Sequence, residues 1–329
     1  MRIIVQTLAA ACALAAGAAE AQIDLSTYVR TGIFNLPSTT LGSNLLANEA
    51  SAVTYNWDRD SLFVVGDGGT AIVEVSKTGA LIGSMTLTGF TDTAVGDPEG
   101  ITYVGNGQFV LSLERARQAA LFTYVGGGNI NIAATTRVTL GPLGAGNNGN
   151  EGIAWDGGNN FVLVKQRSPQ QTFSTSISFA GGTSSNGNST TEPTGLFNPA
   201  VFNAVDLSDV ATLSQLPGSL TGTDANNLLV ISASTCSIYE VTRSGAIMSS
   251  LFLGLTPTST VPATAALMHE GVTMDFAGNL YIVNENGGGS SAAPQMWVYA
   301  PIPEPGSYAL LLAGLAAVAG VTRRRVHRA

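Results

Sequence analysis

The sequence predicts an all-β chain folded as a five-bladed β-propeller, and three observations lead to that class. The chain of 329 residues is weakly charged (11%) and contains 39 glycines, a composition typical of short strands and tight turns. Helical periodicity is hard to find between the two ends of the chain. A unit of one acid followed by two apolar runs recurs every 50 to 61 residues, which is the period of propeller blades.

Each repeat begins at an acidic residue and continues as alternating apolar residues. The five beginnings read NEASAVTYN, PEGITYVGN, NEGIAWDGG, LSDVATLSQ and HEGVTMDFA. After a turn, a second apolar run follows in each repeat: LFVVGD, FVLSLE, FVLVKQ, LVISAS and LYIVNE. Third strands are predicted in AIVEVS, ALFTYV, SIYEVT and MWVYA, and fourth strands in LIGSMTLTG, TTRVTL and IMSSLFLG. Five repeats predict five blades, with a six-bladed ring as the alternative.

The two ends of the repeat region predict how the ring closes. STYVRTGIFNLP precedes the first repeat in the position of a fourth strand, whereas MWVYA is a third strand without a fourth. One blade built from both segments closes the ring and leaves no open sheet edge there. In the third repeat, the Ser/Thr/Gly/Asn-rich tract from Gly181 to Thr194 is predicted to be a long loop.

The acids that begin the repeats form the candidate site. In DPEGITYVGNGQFVLSLE, Glu99 begins the first strand of a hairpin and Glu114 follows the second, so both carboxylates are expected at one end of the blade. Because first strands line the axis of a propeller, acids at one repeat position should ring one mouth of the channel. Gathered carboxylates favour Ca²⁺, although hydrogen bonding to backbone amides or simple solvation are alternatives. The predicted metal ligands are Glu49, Glu99, Glu151, Asp209, Glu270, Glu114 and Glu285.

Both termini are predicted to be addressing segments, so the chain divides into 1–21, 22–302 and 303–329. Residues 1–21 combine a basic residue, an apolar run and an Ala19-Glu20-Ala21 cleavage site, which predicts a signal peptide and export. At the other end an apolar run, Tyr308 to Val321, is expected to form a short transmembrane helix with a cytoplasmic basic end. The flanking motif residues are Pro303, Glu304, Pro305, Arg323, Arg324 and Arg325.

This order of Pro-Glu-Pro, apolar span and arginine cluster resembles the PEP-CTERM sorting signal of Gram-negative bacteria. The resemblance implies processing by an exosortase, a membrane protease that cuts near the Pro-Glu-Pro. The protein is then expected to be anchored transiently in the inner membrane and released to the outer envelope or the extracellular space. A permanent C-terminal anchor is the alternative.

The segments DPEGITYVGNGQFVLSLER, LVKQRSP, DLSDVATL and HEGVTMDFAGNLYIVNEN resemble the SdiA-regulated family of bacterial propellers, distant relatives of NHL-repeat proteins. The resemblance implies a five-bladed fold and a calcium site near the axis, with no established enzymatic activity. The sequence departs from the family at Gln166 and Ser234, where an acid is commoner.

Composition and motifs favour a binding module over an enzyme. The formal net charge of −8 argues against a nucleic acid partner. Of the two histidines, only His269 lies in the predicted body, and no motif for nucleophilic catalysis is present. No catalytic residue is therefore predicted. We expect an extracellular polysaccharide or protein as partner. The alternative is a calcium-dependent phosphoesterase resembling phytase-like propellers, in which Arg115, Lys165 and Arg167 would hold phosphate.

Overall fold

In the part of the chain that the structure describes, five sheets of four or five strands are arranged as a closed ring, and residues 40–41 and 44–45 form a separate two-stranded sheet. This arrangement confirms the five-bladed β-propeller and not the six-bladed alternative. The computed structural model describes residues 23–37, 40–41, 44–89, 97–142, 148–254, 268–285 and 293–302. The predicted signal peptide and the predicted sorting segment therefore lie outside the described residues. Within the described ranges, no helix has the length and apolar character needed to cross a bilayer.

Three strands precede blade one: β1 (Tyr28–Asn35), β2 (Thr40–Leu41) and β3 (Asn44–Leu45). Blade one contains β4 (Ala50–Asn56), β5 (Ser61–Gly66), β6 (Ala71–Val75) and β7 (Leu81–Thr88). Those of the second repeat are β8 (Pro98–Gly105), β9 (Gln108–Leu113), β10 (Gln118–Thr123), β11 (Asn129–Asn131) and β12 (Arg137–Thr139). Those of blade three are β13 (Asn150–Trp155), β14 (Asn160–Lys165), β15 (Gln171–Ser178) and β16 (Thr183–Ser184).

Blade four contains β17 (Asp209–Thr212), β18 (Leu228–Ser232), β19 (Ser237–Val241) and β20 (Ile247–Phe252), with a one-turn helix α1 (Gly218–Thr221) between its first two strands. Blade five contains β21 (His269–Met274), β22 (Leu280–Asn284) and β23 (Gln295–Pro301). Neighbouring strands within each blade are antiparallel, as the alternation of apolar runs and turns predicts. One strand changes blade: β11 leaves blade two and pairs in parallel with β7 of blade one.

The ring closes as predicted, through a blade built from both ends of the body. Strand β1 supplies the outermost strand of blade five and pairs with β23 from Tyr28 opposite Pro301 to Asn35 opposite Gln295. Because the two strands are more than 250 residues apart in sequence, their pairing ties the first described segment to the last.

Five apolar clusters lie between the blades, one at each interface. Hydrogen bonds join the innermost strands of neighbouring blades. The hydroxyl of Thr54 accepts from the amide of Tyr103 (3.1 Å), that of Thr102 from Trp155 (3.0 Å) and that of Thr273 from the amide of Tyr55 (3.2 Å). Since these hydroxyls satisfy amides that would otherwise lack a partner at a sheet edge, they hold the ring's inner wall together.

The Ser/Thr-rich tract of blade three is a hairpin and an ion-paired strap, rather than the long loop predicted from its composition. Strand β16 lies within the tract and pairs with β15. Further along, both carboxylate oxygens of Glu192 accept from the guanidinium of Arg117 (2.9 and 3.0 Å), and one lies 3.7 Å from the ammonium of Lys165. Both cations are buried, so Glu192 supplies the charge that stabilises them between blades two and three.

Candidate metal centre

A β-bulge opens the innermost strand of four blades and sets the position of the acids. The pairing skips one residue between Ala50 and Ala52, between Pro98 and Gly100, and between His269 and Gly271, and a similar shift follows Asn150. A bulge re-aims the side chain of its extra residue. In the register that the apolar residues Val53, Ile101, Ile153, Val210 and Val272 define, the bulge position holds Ser51, Glu99, Glu151, Ser208 and Glu270.

Two of the predicted acids therefore do not occupy the common position, which corrects the alignment on which they were chosen. Glu49 precedes β4 by one residue and is exposed, with a left-handed backbone (φ 50°). It lies at the rim, where its charge acts on Asp67 and Glu285. Aligning the sequence on acids, instead of on the apolar residue that follows the bulge, placed Glu49 two residues too early.

Asp209 lies one position too late, where blades two, three and five have a glycine and blade one has Ala52. Its buried carboxylate accepts from the amides of Val210 (2.8 Å) and Val272 (3.0 Å), and so joins blade four to blade five. A Cβ atom on Gly152 would lie 2.2 Å from one of its oxygens, so the carboxylate fills the space that this glycine leaves. Asp209 thus follows the alternative of hydrogen bonding to backbone amides.

The residues that follow the second strands complete the mouth. They are Asp67, Glu114, Gln166, Ala233 and Glu285, so Ala233 rather than Ser234 is the equivalent in blade four. The expectation that Glu99 and Glu114 lie at one end of their blade is met, because Pro98 pairs with Leu113 beside them.

The acids of both positions face one cavity of about 110 Å³ at this mouth. Seven of its eleven lining residues are acids, and the only basic ones are Arg115 and Arg167. The acids are Asp67, Asp97, Glu99, Glu114, Glu151, Glu270 and Glu285. Five of the seven predicted ligands are therefore brought together, whereas Glu49 and Asp209 are not among the lining residues.

The tightest group consists of Asp67, Asp97 and Glu99, in which one carboxylate oxygen from each residue lies within 4.8 Å of the other two. Asp67 and Asp97 were not among the predicted ligands. The sequence could have identified Asp67, because it follows the second strand of its repeat, β5, just as Glu114 follows β9. Asp97 reaches the group from a left-handed backbone (φ 74°) just before β8, a conformation that no repeat pattern announces. Arg115 forms an ion pair with Asp97 and offsets part of its charge.

Burial and mutual repulsion raise the pKa values of four carboxyls that line this cavity, those of Asp67, Glu99, Glu270 and Glu285. Burial, followed by the charges of Glu49 and Asp97, raises the pKa of Asp67 to about 6. Burial is also the largest cause for Glu99, whose pKa lies well above its usual value, with Asp67 and Asp97 next. The pKa of Glu270 is raised to about 7 and that of Glu285 to about 8, again mainly by burial.

Glu114 and Glu151 form a close carboxyl pair beside this group. Burial raises the pKa of Glu114 to about 7 even though the amide of Gly149 donates to it (3.0 Å), and burial followed by Glu99 and Glu114 raises the pKa of Glu151 well above its usual value. The two carboxyls lie within hydrogen-bonding reach of each other, which requires a proton or a cation between them. The mouth therefore favours the binding of positive charge.

Two of the three basic residues considered for binding phosphate, Arg115 and Lys165, already have protein partners. Arg115 pairs with Asp97, and the buried ammonium of Lys165 donates to the carbonyls of Arg167 (2.7 Å) and Pro169 (3.1 Å). Arg167 is exposed at the cavity, where its guanidinium donates to Gln166. His269 is fully buried, and its ring packs edge-on against that of Trp297 with the ring centroids 4.9 Å apart. Burial lowers the pKa of His269 to about 4. Its imidazole is therefore neutral at pH 7 and shielded from solvent.

Comparison with solved structures returns proteins of low similarity. A luciferin-regenerating enzyme is 10% identical over 83% of this chain and 96% of its own, with a TM-score of 0.46. A glutaminyl cyclase of Myxococcus xanthus is 7% identical over 84% of this chain and 97% of its own, with a TM-score of 0.44. A virginiamycin B lyase of Staphylococcus aureus is 14% identical over 77% and 80%, with a TM-score of 0.36. None of these likenesses supports an inference about activity.

Comparison with family models establishes the family of the chain. The model of the SdiA-regulated family matches residues 38–287, which is more than half of the chain, and the PEP-CTERM protein-sorting motif matches residues 301–326. The first match covers blades one to four and the two inner strands of blade five, including all seven acids of the mouth. The chain therefore belongs to the SdiA-regulated family, and it carries a C-terminal PEP-CTERM sorting motif.

Proposed function

We propose that this protein is an exported, non-catalytic binding module whose propeller is stabilised by calcium at its acidic mouth. The observation that carries the proposal is the convergence of Asp67, Asp97 and Glu99 within 4.8 Å, in a cavity with seven acids and two arginines. Such a concentration of negative charge destabilises the metal-free site, because the carboxylates repel one another and those of Glu114, Glu151 and Glu270 are also buried.

The donor set fits calcium chemically. Ca²⁺ takes six to eight oxygen ligands in flexible arrangements, whereas Mg²⁺ requires a near-octahedral set. Asp67, Asp97 and Glu99 would hold the ion, and Glu114 and Glu270 are further carboxylates whose charges act on Glu99. All are hard oxygen donors. A bound ion would supply charge compensation at this mouth, and the chain's own residues would supply the rigid ring that holds it.

Thermal denaturation of the purified body, residues 22–302, tests the calcium proposal. Chelation should lower the melting temperature, and Ca²⁺ should restore it more effectively than Mg²⁺. A ligand at a hundredfold excess over its Kd stabilises the native state by about 2.7 kcal/mol. A melting curve indifferent to both chelator and calcium would remove the proposal and leave the acids as a solvated or protonated ring.

The alternative, a calcium-dependent phosphoesterase, has weaker support. Of the three basic residues that could hold phosphate, Arg115 already pairs with Asp97 and Lys165 is buried beneath the carbonyls it binds. Only Arg167 is exposed at the cavity. Release of phosphate from p-nitrophenyl phosphate with added Ca²⁺, and its loss in Arg167→Ala, would favour the enzyme over the binding module.

The sorting motif supports export. A PEP-CTERM motif implies processing by an exosortase, and we propose that the protein is anchored briefly in the inner membrane before it reaches the envelope surface or the medium. In a host with an exosortase, mass spectrometry of the surface protein should find a chain that lacks residues 308–329. An intact tail on the surface-exposed protein would instead indicate a permanent anchor.

A further inference from the structure

A second cavity lies between blades two and three, at the end of the blades opposite the acidic mouth. Its volume is about 380 Å³, within the roughly 300–1,000 Å³ range of small-molecule sites. Gln108 lines it from the turn end of the β8–β9 hairpin. Trp155 and Asn159 line it from the turn end of the β13–β14 hairpin. The acids begin the same hairpins at their other end, so the two cavities open on opposite faces of the ring.

The topology of blade two explains why this cleft exists. After β10 the chain leaves the blade and pairs with blade one through β11. When it returns as β12, it covers only Gln118 to Ala120 of β10. The amide of Leu121 still donates to the carbonyl of Thr136 (3.3 Å), but beyond Leu121 no fourth strand lies alongside β10 in the pairing of the sheet. The cleft is a product of the strand exchange rather than an accident of side-chain packing.

The walls of the cleft are apolar rings and aliphatic side chains. Four half-buried residues, Val104, Leu121, Trp155 and Phe179, extend the apolar core between blades two and three into the cleft. The indole of Trp155 is held by a hydrogen bond from its ring nitrogen to the carbonyl of Gly158 (2.9 Å). Phe161 stands edge-on to Phe179, with ring centroids 6.3 Å apart. The aromatic wall is therefore ordered before any ligand arrives.

Polar groups at the rim are uncharged. The lining includes Gln108, Asn159 and Ser178, and none of its twelve residues is ionisable. The side chains of Gln108 and Asn159 belong to exposed residues, so their amides are available to a ligand. A pocket of aromatic faces bordered by amides and a hydroxyl, without charge, fits a ligand that has an apolar ring face and several neutral hydrogen-bonding groups.

From this lining we propose that the cleft between blades two and three binds a neutral sugar unit of a polysaccharide. The C–H face of a pyranose ring would lie against the aromatic wall, and its hydroxyls would exchange hydrogen bonds with the amides at the rim. The proposal names the ligand class for the binding role proposed above. It depends on that role but not on the calcium site, because the two cavities share no residue.

Titration of the calcium-loaded body with maltohexaose, cellohexaose and chitohexaose tests the proposal, with oligogalacturonate as the charged comparison. Binding is measured by calorimetry and by the change in tryptophan fluorescence. At least one neutral hexaose should bind with an affinity insensitive to salt. The affinity should fall about tenfold in Phe179→Ala and also fall in Gln108→Ala and Asn159→Ala, whose exposed side chains can be shortened without disturbing the core.

Phe252→Ala is the matched control, since Phe252 is 70% exposed on the outer strand of blade four. It should leave the affinity unchanged, and all variants should keep the parent's melting temperature within a few degrees. Three results would overturn the proposal: binding of only the charged oligomer, no binding of any neutral hexaose at millimolar concentration, or an affinity in all three cleft variants equal to that of the parent protein. Saccharide binding that persists in a protein whose melting ignores calcium would remove the calcium proposal alone.

Discussion

Replacing Glu270 by glutamine separates the repulsion within the acidic mouth from its use in binding calcium. Glu270 is buried, and its pKa is raised from 4.5 to about 7, first by burial and then by neighbouring acids. At ~1.36 kcal/mol per pKa unit, keeping this group ionised at pH 8 costs the metal-free fold about 3 kcal/mol. Glutamine has nearly the same shape and no charge, so the variant avoids that cost.

In chelator at pH 8, Glu270→Gln should therefore melt above the parent protein. For a body of about 280 residues, with an entropy of unfolding of roughly 0.6 kcal/mol/K, 3 kcal/mol corresponds to a rise in melting temperature of roughly 5 °C. With saturating calcium the parent should gain about 2.7 kcal/mol at a hundredfold excess over Kd, and the variant should gain less because it lacks one negative donor. The difference between the two proteins should then shrink or change sign. Differential scanning calorimetry in EDTA and in CaCl₂ measures both terms.

The control is Asp24→Asn. Asp24 is exposed and accepts from the amide of Ser26 (3.0 Å), a role that asparagine retains. Glu74 would be a poor control, because it is only 2% exposed and accepts two hydrogen bonds from Arg59. A metal-free Glu270→Gln protein that melts below the parent, or a calcium response equal to the parent's, would refute the argument that repulsion at this mouth is offset by a cation.

Three further outcomes are expected. Deleting residues 26–36 removes β1 and opens blade five, so the body should lose its cooperative melting transition, whereas truncation after Ile302 should leave that transition intact; an unchanged melt after the deletion would contradict the closing blade. Glu192→Gln leaves Arg117 and Lys165 buried without a carboxylate and should cost about 3–5 kcal/mol in urea unfolding, and a change below 1 kcal/mol would show that the strap is not holding them. Four carboxyls of the mouth, those of Asp67, Glu114, Glu270 and Glu285, have pKa values raised to between about 6 and about 8, so the folded state holds protons that the unfolded state has released. In chelator this stabilisation is complete below the ordinary carboxyl pKa and is lost as the pH rises through that range, so the melting temperature should be higher at pH 5.5 than at pH 8.

The acids of the mouth show where inference from sequence succeeds and where it stops. The E-G-[IV] motif identified Glu99, Glu151 and Glu270, because motif and bulge coincide in those blades. In blades one and four an acid stands near the motif but not in it, and the register puts Ser51 and Ser208 at the equivalent positions. A shift of one or two residues along a strand is invisible to composition, yet one residue reverses the direction of the side chain and two residues move it to the next position along the same face.

Sequence patterns alone are sufficient to predict the five blades, the closing of the ring by β1 and β23, and the sorting motif. These features depend on local patterns, since alternating apolar residues and turns repeat with the period of a blade. Three contacts follow only from the folded structure: Asp67 and Asp97 meet Glu99, Asp209 joins two blades, and Glu192 pairs with two buried cations. These contacts join residues on different strands or blades, and their distances depend on bulge geometry, strand exchange and the packing of one blade on the next.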